Sequence, residues 1–561
     1  MSVASCLAKV FKKLGQISTF VQFQSQLLAC VQDDTRNSGE FVRDFHKLGS
    51  NVEKVDFLYE RMRQYGLLDD KFTKDEKDDK KAKKHKEKGD KFFATGAFSK
   101  ALQSYTRSVM KAKSSEALAM AYANRSAALF KLEQFEEALT DVERALSGDY
   151  PENLRPSLVT RREKLLGFMG AHGPAFNFFE SVPEIPEEQK NASIPSASSC
   201  IEIKPDEKSR RRVFAARKIE IGEIIAVEKP FVFTLAAADL YHCHECYQLC
   251  YNPIPCEICS QTLYCGEECR DKAREKYHQY ECPILISLKN IVGKHKAFLL
   301  AIKMSFMISD ENDVPEVYAL VENLSRDNND EVFTTALITA LMYHLVKTYT
   351  GKFPEDDLEA ENKFKHFLMT HLRICLTHAA GIDELYPNQV SEGQEPGQEL
   401  LSFKSETVGC ALYPFYALFR HACCPNVFAH HHGTQRVLRA VRTIHEGQEC
   451  FVSYGPYYVE HSKQERKSRL LSQYHFTCKC RACEEDWPQL DLNPYYLTSK
   501  QDLDFVAKIR NANIEAAVEE IPRFLERLKG LEVFEPLSEL TLQQKLLSYC
   551  FDMLGNKRRI L

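Results

Sequence analysis

The sequence predicts an α+β protein of several domains, in which a β domain is interrupted by a zinc finger and a helical insertion and is preceded by α-helical repeats. Three observations carry this reading. The stretches "GDKFFATGAFSKALQSY" (89–105) and "SAALFKLEQFEEALTDV" (126–142) share helical periodicity and superpose at an offset of 37. Two strand–turn–strand phrases, "ARKIEIGEII" (216–225) and "VRTIHEGQEC" (441–450), resemble one another although more than 200 residues part them. Between them stands "CHECYQLCYNPIPCEICSQTLYCGEECRDKAREKYHQYEC" (243–282), rich in cysteine at metal-ligand spacing.

The bulk numbers bound the function. A chain of 561 residues has room for about two to four cores, and its net charge of −5 offers no bulk attraction to nucleic acid. No apolar run reaches the roughly 18–20 residues of a membrane span. The N-terminus, with no acid before Asp33, slightly resembles a transit peptide but lacks arginine and reads as an amphipathic helix. Twenty cysteines without a signal peptide point to a reducing compartment, cytoplasm or nucleus, where clustered cysteines hold metal rather than form disulfides.

Taken in order, residues 1–70 read as an N-terminal helical region. "KFTKDEKDDKKAKKHKEKGDK" (71–91) mixes lysines with acids, which favours a solvated helix or linker over a nuclear-localisation signal. Within the repeats (71–170), Gly89 falls on Ser126, Phe98 on Phe135 and Ala101 on Ala138. Small residues at such points let paired helices approach, and the aromatic fills the gap between hairpins. The pattern resembles the tetratricopeptide repeat, lengthened by about three residues, with a degenerate third unit over 152–170. Lys86, Asn124 and Arg161 fall near positions where some such domains clamp a C-terminal carboxylate. Asp90 would repel that group, so weak binding of acidic tails is expected. Residues 171–199 are rich in Pro and Ser and read as a linker. The β domain opens over 200–242, the finger spans 243–282, and 283–400 is helical in pattern. The β domain resumes over 401–456, a cysteine motif occupies 457–485, and 486–561 is helical again.

The finger's spacing is C-x2-C (Cys243, Cys246), C-x2-C (Cys256, Cys259), C-x3-C (Cys265, Cys269) and H-x3-C (His278, Cys282). Eight such donors divide into two tetrahedral zinc sites, and metal binding supplies folding free energy that so few large apolar residues cannot. Cys250 reads as a bystander. The order resembles a MYND finger, whose ligands interleave: Cys243, Cys246, Cys265 and Cys269 on one ion, Cys256, Cys259, His278 and Cys282 on the other. Lys272, Arg274 and Lys276 are too few, and too little interleaved with aromatics, to suggest DNA binding. Downstream, "CKCRAC" offers Cys478, Cys480 and Cys483, one ligand short of closure. Cys423 or Cys424 of "FRHACCPN" (419–426) is the natural fourth donor.

A β domain split by such a finger, then "GCALYPFYALFRHACCPN", "GQECFVSYG" and C-x-C-x2-C, resembles the SET- and MYND-domain (SMYD) protein-lysine methyltransferases over roughly 200–485, in their repeat-bearing branch. The family's N-H-S-C-x-P-N motif then falls on Arg420, His421, Ala422, Cys423, Cys424, Pro425 and Asn426. The resemblance makes Cys423 the fourth zinc ligand, Tyr454 the catalytic tyrosine and Tyr474 the second wall of the lysine channel. It places S-adenosylmethionine against Arg210, Arg211, Arg212, Arg420, His421, Tyr454 and Phe476. Without it, Tyr454 is merely a tyrosine ending a strand. Three departures imply weakened cofactor binding. Arg420 replaces an asparagine, "RRR" (210–212) replaces a glycine-bearing turn, and Leu401 replaces another asparagine. Arg420 is expected either to swing onto an acidic side chain or to project its charge toward the sulfonium. The resemblance therefore implies a lysine methyltransferase using S-adenosylmethionine and three structural zinc ions on a protein substrate. The alternative is a catalytically impaired adaptor whose repeats and finger recruit protein partners.

Overall fold

The computed structural model describes residues 27–556 apart from 28, 31–37, 69–71, 172–181, 207–209, 237–238, 294–295, 324–328, 356, 388–402, 475, 491–501, 503, 506–513 and 532–534. Leu401 thus lies outside the described residues. Among those described, no helix is long and apolar enough to cross a membrane.

Helices α1 (Ser38–Lys47) and α2 (Asn51–Gln64) are separated by Ser50, which caps α2. Its hydroxyl accepts the Glu53 amide at 3.1 Å, while Glu53 Oε2 accepts the Ser50 amide at 2.8 Å. Two hairpins follow, α3 (Asp79–Ala94) with α4 (Phe98–Lys111) and α5 (Ser115–Lys131) with α6 (Phe135–Ser147). The lysine-rich segment is therefore largely the first repeat helix. A side chain at Gly89 would come within 2.5 Å of the Tyr105 ring, so glycine sets the α3–α4 approach. Ala101 and Ala138 are fully buried at equivalent points. The turns repeat as well: Phe93 meets Phe98 at 5.2 Å and Phe130 meets Phe135 at 5.8 Å, both edge-on. Helix α7 (Arg155–Ala171) ends the stack, its Phe168 lying flat on Phe135 at 5.2 Å.

The stretch expected to be a linker supplies structure. Lys190–Asn191 (β1) and Ile194–Ser198 (β2) join a sheet of order β1-β2-β5-β13-β12, with β5 at Ile224–Glu228, β12 at Val427–His432 and β13 at Gln435–Ala440. Ala197 pairs with Ala226 and is buried, so the small Pro- and Ser-rich residues serve a close strand contact that composition alone reads as a linker. Strands β3 (Ile201–Pro205) and β4 (Arg211–Ala215) form a separate ladder. Both halves of the β domain meet at the two phrases that resemble each other. Ile219 and Ile444 exchange both backbone hydrogen bonds, at 2.9 and 3.0 Å. Gly222 and Gly447 turn with φ of +86° and +78°, a region that favours glycine.

Strand β6 (Val232–Leu235) leads into the finger, whose short β7 (Ile254–Pro255) and β8 (Leu263–Tyr264) pair antiparallel. The insertion helices α8 (Lys296–Met307), α9 (Asn329–Tyr349) and α10 (Leu358–His378) carry α1 and α2. Phe45 lies edge-on to Phe333 at 4.9 Å, Tyr59 to Tyr343 at 5.2 Å, and Lys365 reaches Asp56 at 2.6 Å. The N-terminal helices therefore share the insertion's core. Strand β9 (Ala380–Pro387) pairs with β10 (Phe403–Leu412), which pairs with β6. Strand β11 (Arg420–His421) runs parallel to β14 (Phe451–Val452). Helix α11 (Lys463–Tyr474) precedes the last cysteines, and α12 (Ile514–Leu531) with α13 (Ser538–Asn556) closes the chain against β12. There Gly555 lies so close to the His431 carbonyl that no side chain fits.

The finger is held from the repeats. The buried Arg125 forks onto Asp141 (Nε to Oδ2 2.6 Å, Nη2 to Oδ1 2.9 Å) and donates its remaining nitrogen to the Pro253 carbonyl at 2.9 Å. Arg144 donates to the Asn252 carbonyl at 2.6 Å, and Asn252 returns a bond to the Glu137 carbonyl at 3.2 Å.

Candidate functional site

Three four-ligand clusters assemble: Cys243, Cys246, Cys265 and Cys269; Cys256, Cys259, His278 and Cys282; Cys423, Cys478, Cys480 and Cys483. Within each, one donor atom per residue lies within 4.8 Å of all the others. Four donors about 2.3 Å from a tetrahedral zinc stand about 3.8 Å apart. Sulfur–sulfur separations of 3.7 Å (Cys246 to Cys265), 3.9 Å (Cys256 to Cys282) and 3.6 Å (Cys423 to Cys483) fit that geometry. Cys423, and not Cys424, stands among the third set. Cys250 stays outside the finger sets, its thiol on Asn252.

Two supporting residues escaped the sequence reading. His278 turns Nε2 toward Cys259 at 3.5 Å, and its Nδ1 lies 3.1 Å from Glu281 Oε2. A carboxylate at that nitrogen fixes the tautomer that frees Nε2 for a metal. Its position three residues on in a helical turn was a readable signal. Arg466, fully buried, donates to the Cys483 sulfur at 3.7 Å and to the Ala482 and His461 carbonyls at 3.3 and 2.7 Å. A lone buried guanidinium is costly, and the four thiolates, were they to hold a zinc ion, would supply the negative charge that offsets it.

His421 ties this third cluster to the aromatic site. Its Nδ1 accepts the Tyr454 amide at 3.0 Å, so Nε2 carries the proton and faces the Cys423 sulfur at 3.3 Å. Burial lowers its pKa to about 4, consistent with that neutral form. The Tyr454 hydroxyl donates to the Phe419 carbonyl at 2.6 Å, and the Tyr474 hydroxyl donates to the Tyr454 carbonyl at 3.2 Å. The two rings lie 4.9 Å apart, with Phe476 6.4 Å from Tyr454 and 6.1 Å from His421. Burial keeps the Tyr454 phenol well above its ordinary value and pushes Tyr474 up to about 12. Neither phenol serves as a base near neutral pH. Both remain hydrogen-bonding walls.

On the side expected for the cofactor, Arg420 takes the first of its two courses. Its Nε donates to Glu449 Oε1 at 2.6 Å and Nη2 to Oε2, a bidentate pair. Glu449 was missed because nothing local marks a partner 29 residues away. Arg210 holds Asp206 through its amide and Nε, both at 2.9 Å, and Arg212 reaches the same carboxylate at 3.3 Å. Arg211 contributes its carbonyl, which accepts from Arg212 at 3.0 Å. Arg212 is buried, its Nε without a hydrogen-bond partner among the described residues. The residues near the carboxylate-clamp positions of the repeats are engaged internally. Lys86 pairs with Asp90 at 2.8 Å, Asn124 donates to Met120, and Arg161 donates to Ala123 and Ser126.

Comparison with known proteins adds the lineage. The SET domain family model matches residues 210–455. The chain is 22% identical over 543 residues to "Protein-lysine N-methyltransferase SMYD4" of Homo sapiens, covering 73% of this chain and 68% of that protein. The Danio rerio protein of that name is 23% identical, covering 72% and 65%. "N-lysine methyltransferase SMYD2-A" of Xenopus laevis is 26% identical over 276 residues, covering 49% and 58%. With the split β domain, the interleaved finger and the third cysteine cluster in place, the chain carries a SET domain and is similar to the SET- and MYND-domain protein-lysine methyltransferases.

Proposed function

We propose that the protein transfers a methyl group from S-adenosylmethionine to a lysine of a protein substrate, with three structural zinc ions. The observation that carries this is the aromatic site around Tyr454, coupled through His421 to the third cysteine cluster. When bound, S-adenosylmethionine supplies an electrophilic methyl group on a sulfonium. Arg212 Nε, a buried donor lacking an acceptor among the described residues, fits the cofactor's carboxylate. Arg420, neutralised by Glu449, presents no free charge to the sulfonium. Tyr454, Tyr474 and Phe476 exclude water and tolerate the cationic centres through their ring faces. The Tyr454 hydroxyl, held by Phe419, orients without acting as a base. The finger and repeats recruit partners, and the protein acts in cytoplasm and nucleus.

A second reading, a catalytically impaired adaptor, draws support from the shared carboxylate. Asp206 answers both Arg210 and Arg212, which leaves one positive charge uncompensated among the described residues. Calorimetric titration with S-adenosylmethionine separates the two. Micromolar binding is expected, and no heat with either this cofactor or S-adenosylhomocysteine would favour the adaptor.

Two variants sharpen the reading. Glu449→Gln releases the Arg420 charge and should weaken S-adenosylmethionine about 5- to 30-fold relative to S-adenosylhomocysteine, which lacks the sulfonium. Equal losses for the two ligands would mean that Glu449 acts on packing alone. Tyr454→Phe should lower kcat by about 100-fold while cofactor affinity stays unchanged. Full activity in that variant would remove Tyr454 from the chemistry.

A further inference from the structure

Behind the aromatic site stands a cation that the proposed reaction has not yet used. The Arg436 guanidinium carbon lies 3.9 Å from the Tyr416 ring centroid and 5.5 Å from that of Tyr413. Its Nε and Nη1 are buried and make no hydrogen bond among the described residues. Tyr416 stacks in turn on Phe419 at 6.4 Å, and the Phe419 carbonyl holds the Tyr454 hydroxyl. Glu228 fixes the turn, its carboxylate oxygens accepting the Phe415 and Tyr416 amides at 2.7 and 2.8 Å. A chain of contacts, two ring contacts and one hydrogen bond, thus runs from Arg436 to the Tyr454 phenol.

Several groups share this space with Arg436. They are Glu228 of β5, Tyr413 after β10, His430 and His431 of β12, Tyr474 of α11 and Asp552 of α13. None forms an ion pair with Arg436 among the described residues. Burial raises Glu228 to about 7, so it is divided between its two forms near neutral pH, and burial with the neighbouring Asp383 raises Asp552 to about 8, so that carboxyl leans toward the neutral form. Burial holds both histidines uncharged. Arginine cannot shed its proton, so its charge persists.

A free lysine amine titrates near 10.4, so about one in a thousand is neutral at pH 7.4. Only the neutral amine has the lone pair that forms the new N–C bond as the S–C bond breaks with its electron pair left on sulfur. The methylated nitrogen then loses its extra proton to water. A fixed cation beside the channel disfavours the ammonium form. We propose that Arg436 is a positioning residue whose charge, stacked behind Tyr416, keeps an entering target lysine neutral and nucleophilic. This rests on the methyltransferase reading.

Two measurements on the full-length, zinc-loaded protein test it. The first follows transfer from labelled cofactor to a pool of hexapeptides, each with one lysine, between about pH 6 and 10. Arg436→Met should move the rising limb of kcat/KM upward by at least about half a pH unit, a roughly three- to tenfold loss at pH 7 that disappears at high pH. Arg436→Lys should restore the limb. An equal loss at every pH would make the role structural and overturn the inference. The second needs no activity. In a Tyr474→Cys background, iodoacetamide labelling at that position, read by peptide mass spectrometry, reports the thiol's pKa. Adding Arg436→Met should raise it by at least about half a unit, and Arg436→Lys should not. An unmoved thiol overturns the inference. A moved thiol without any methyl transfer supports the field of Arg436 and sinks the methyltransferase reading alone.

Discussion

Replacing Cys423 with serine is expected to lower the zinc content of the purified protein from three ions to about two and to destabilise the fold by several kcal/mol. The neighbouring Cys424→Ser is expected to do neither. Cys423 lies within ligand distance of Cys478, Cys480 and Cys483, and three thiolates without a fourth leave the ion open to water. The damage should spread along a defined path. Loss of the ion leaves the buried Arg466 without the thiolate charge it faces, and it leaves His421 Nε2 without a fixed acceptor. The same ring accepts the Tyr454 amide, so the channel wall should loosen as well. Metal analysis and denaturant unfolding of both variants check this. Equal zinc loss from the two would show that the adjacent cysteines exchange roles.

Asp141→Ala is expected to destabilise the protein by about 3–5 kcal/mol, because it strands a charged Arg125 in the interior. Both side chains are fully buried, and Asp141 also accepts from Arg144 at 3.1 Å. The two arginines donate to the Pro253 and Asn252 carbonyls, so the finger should lose its grip on the repeats. Hydrogen exchange over 250–254 should rise. Asp141→Leu combined with Arg125→Met should recover most of the loss, since an apolar pair leaves no unmet charge. A urea midpoint unchanged in Asp141→Ala would mean that water or another acid reaches Arg125.

The features legible in the sequence are those set by covalent spacing and local periodicity. Metal donors a few residues apart must meet, so the finger's four donor pairs follow from C-x2-C, C-x3-C and H-x3-C, while their interleaving into two sets rested on the resemblance to a MYND finger. The repeat offset of 37 places Phe93 with Phe98 and Phe130 with Phe135 because helical turns recur with the chain. The likeness of the two phrases even matches Ile219 with Ile444, which share one bridge. Tertiary structure decided what depends on the path of the chain between such points. Arg420 has its fork on Glu449, Arg125 reaches Pro253, Arg436 stacks on Tyr416, and the Pro- and Ser-rich stretch yields β2. A charged side chain pairs with whatever the fold brings within a few ångströms, and the field that reaches buried groups is set by the removal of water. Neither leaves a periodic trace along the sequence. The chain alone therefore determined the architecture and the metal ligands, and only the folded interior decided the charge at the aromatic site.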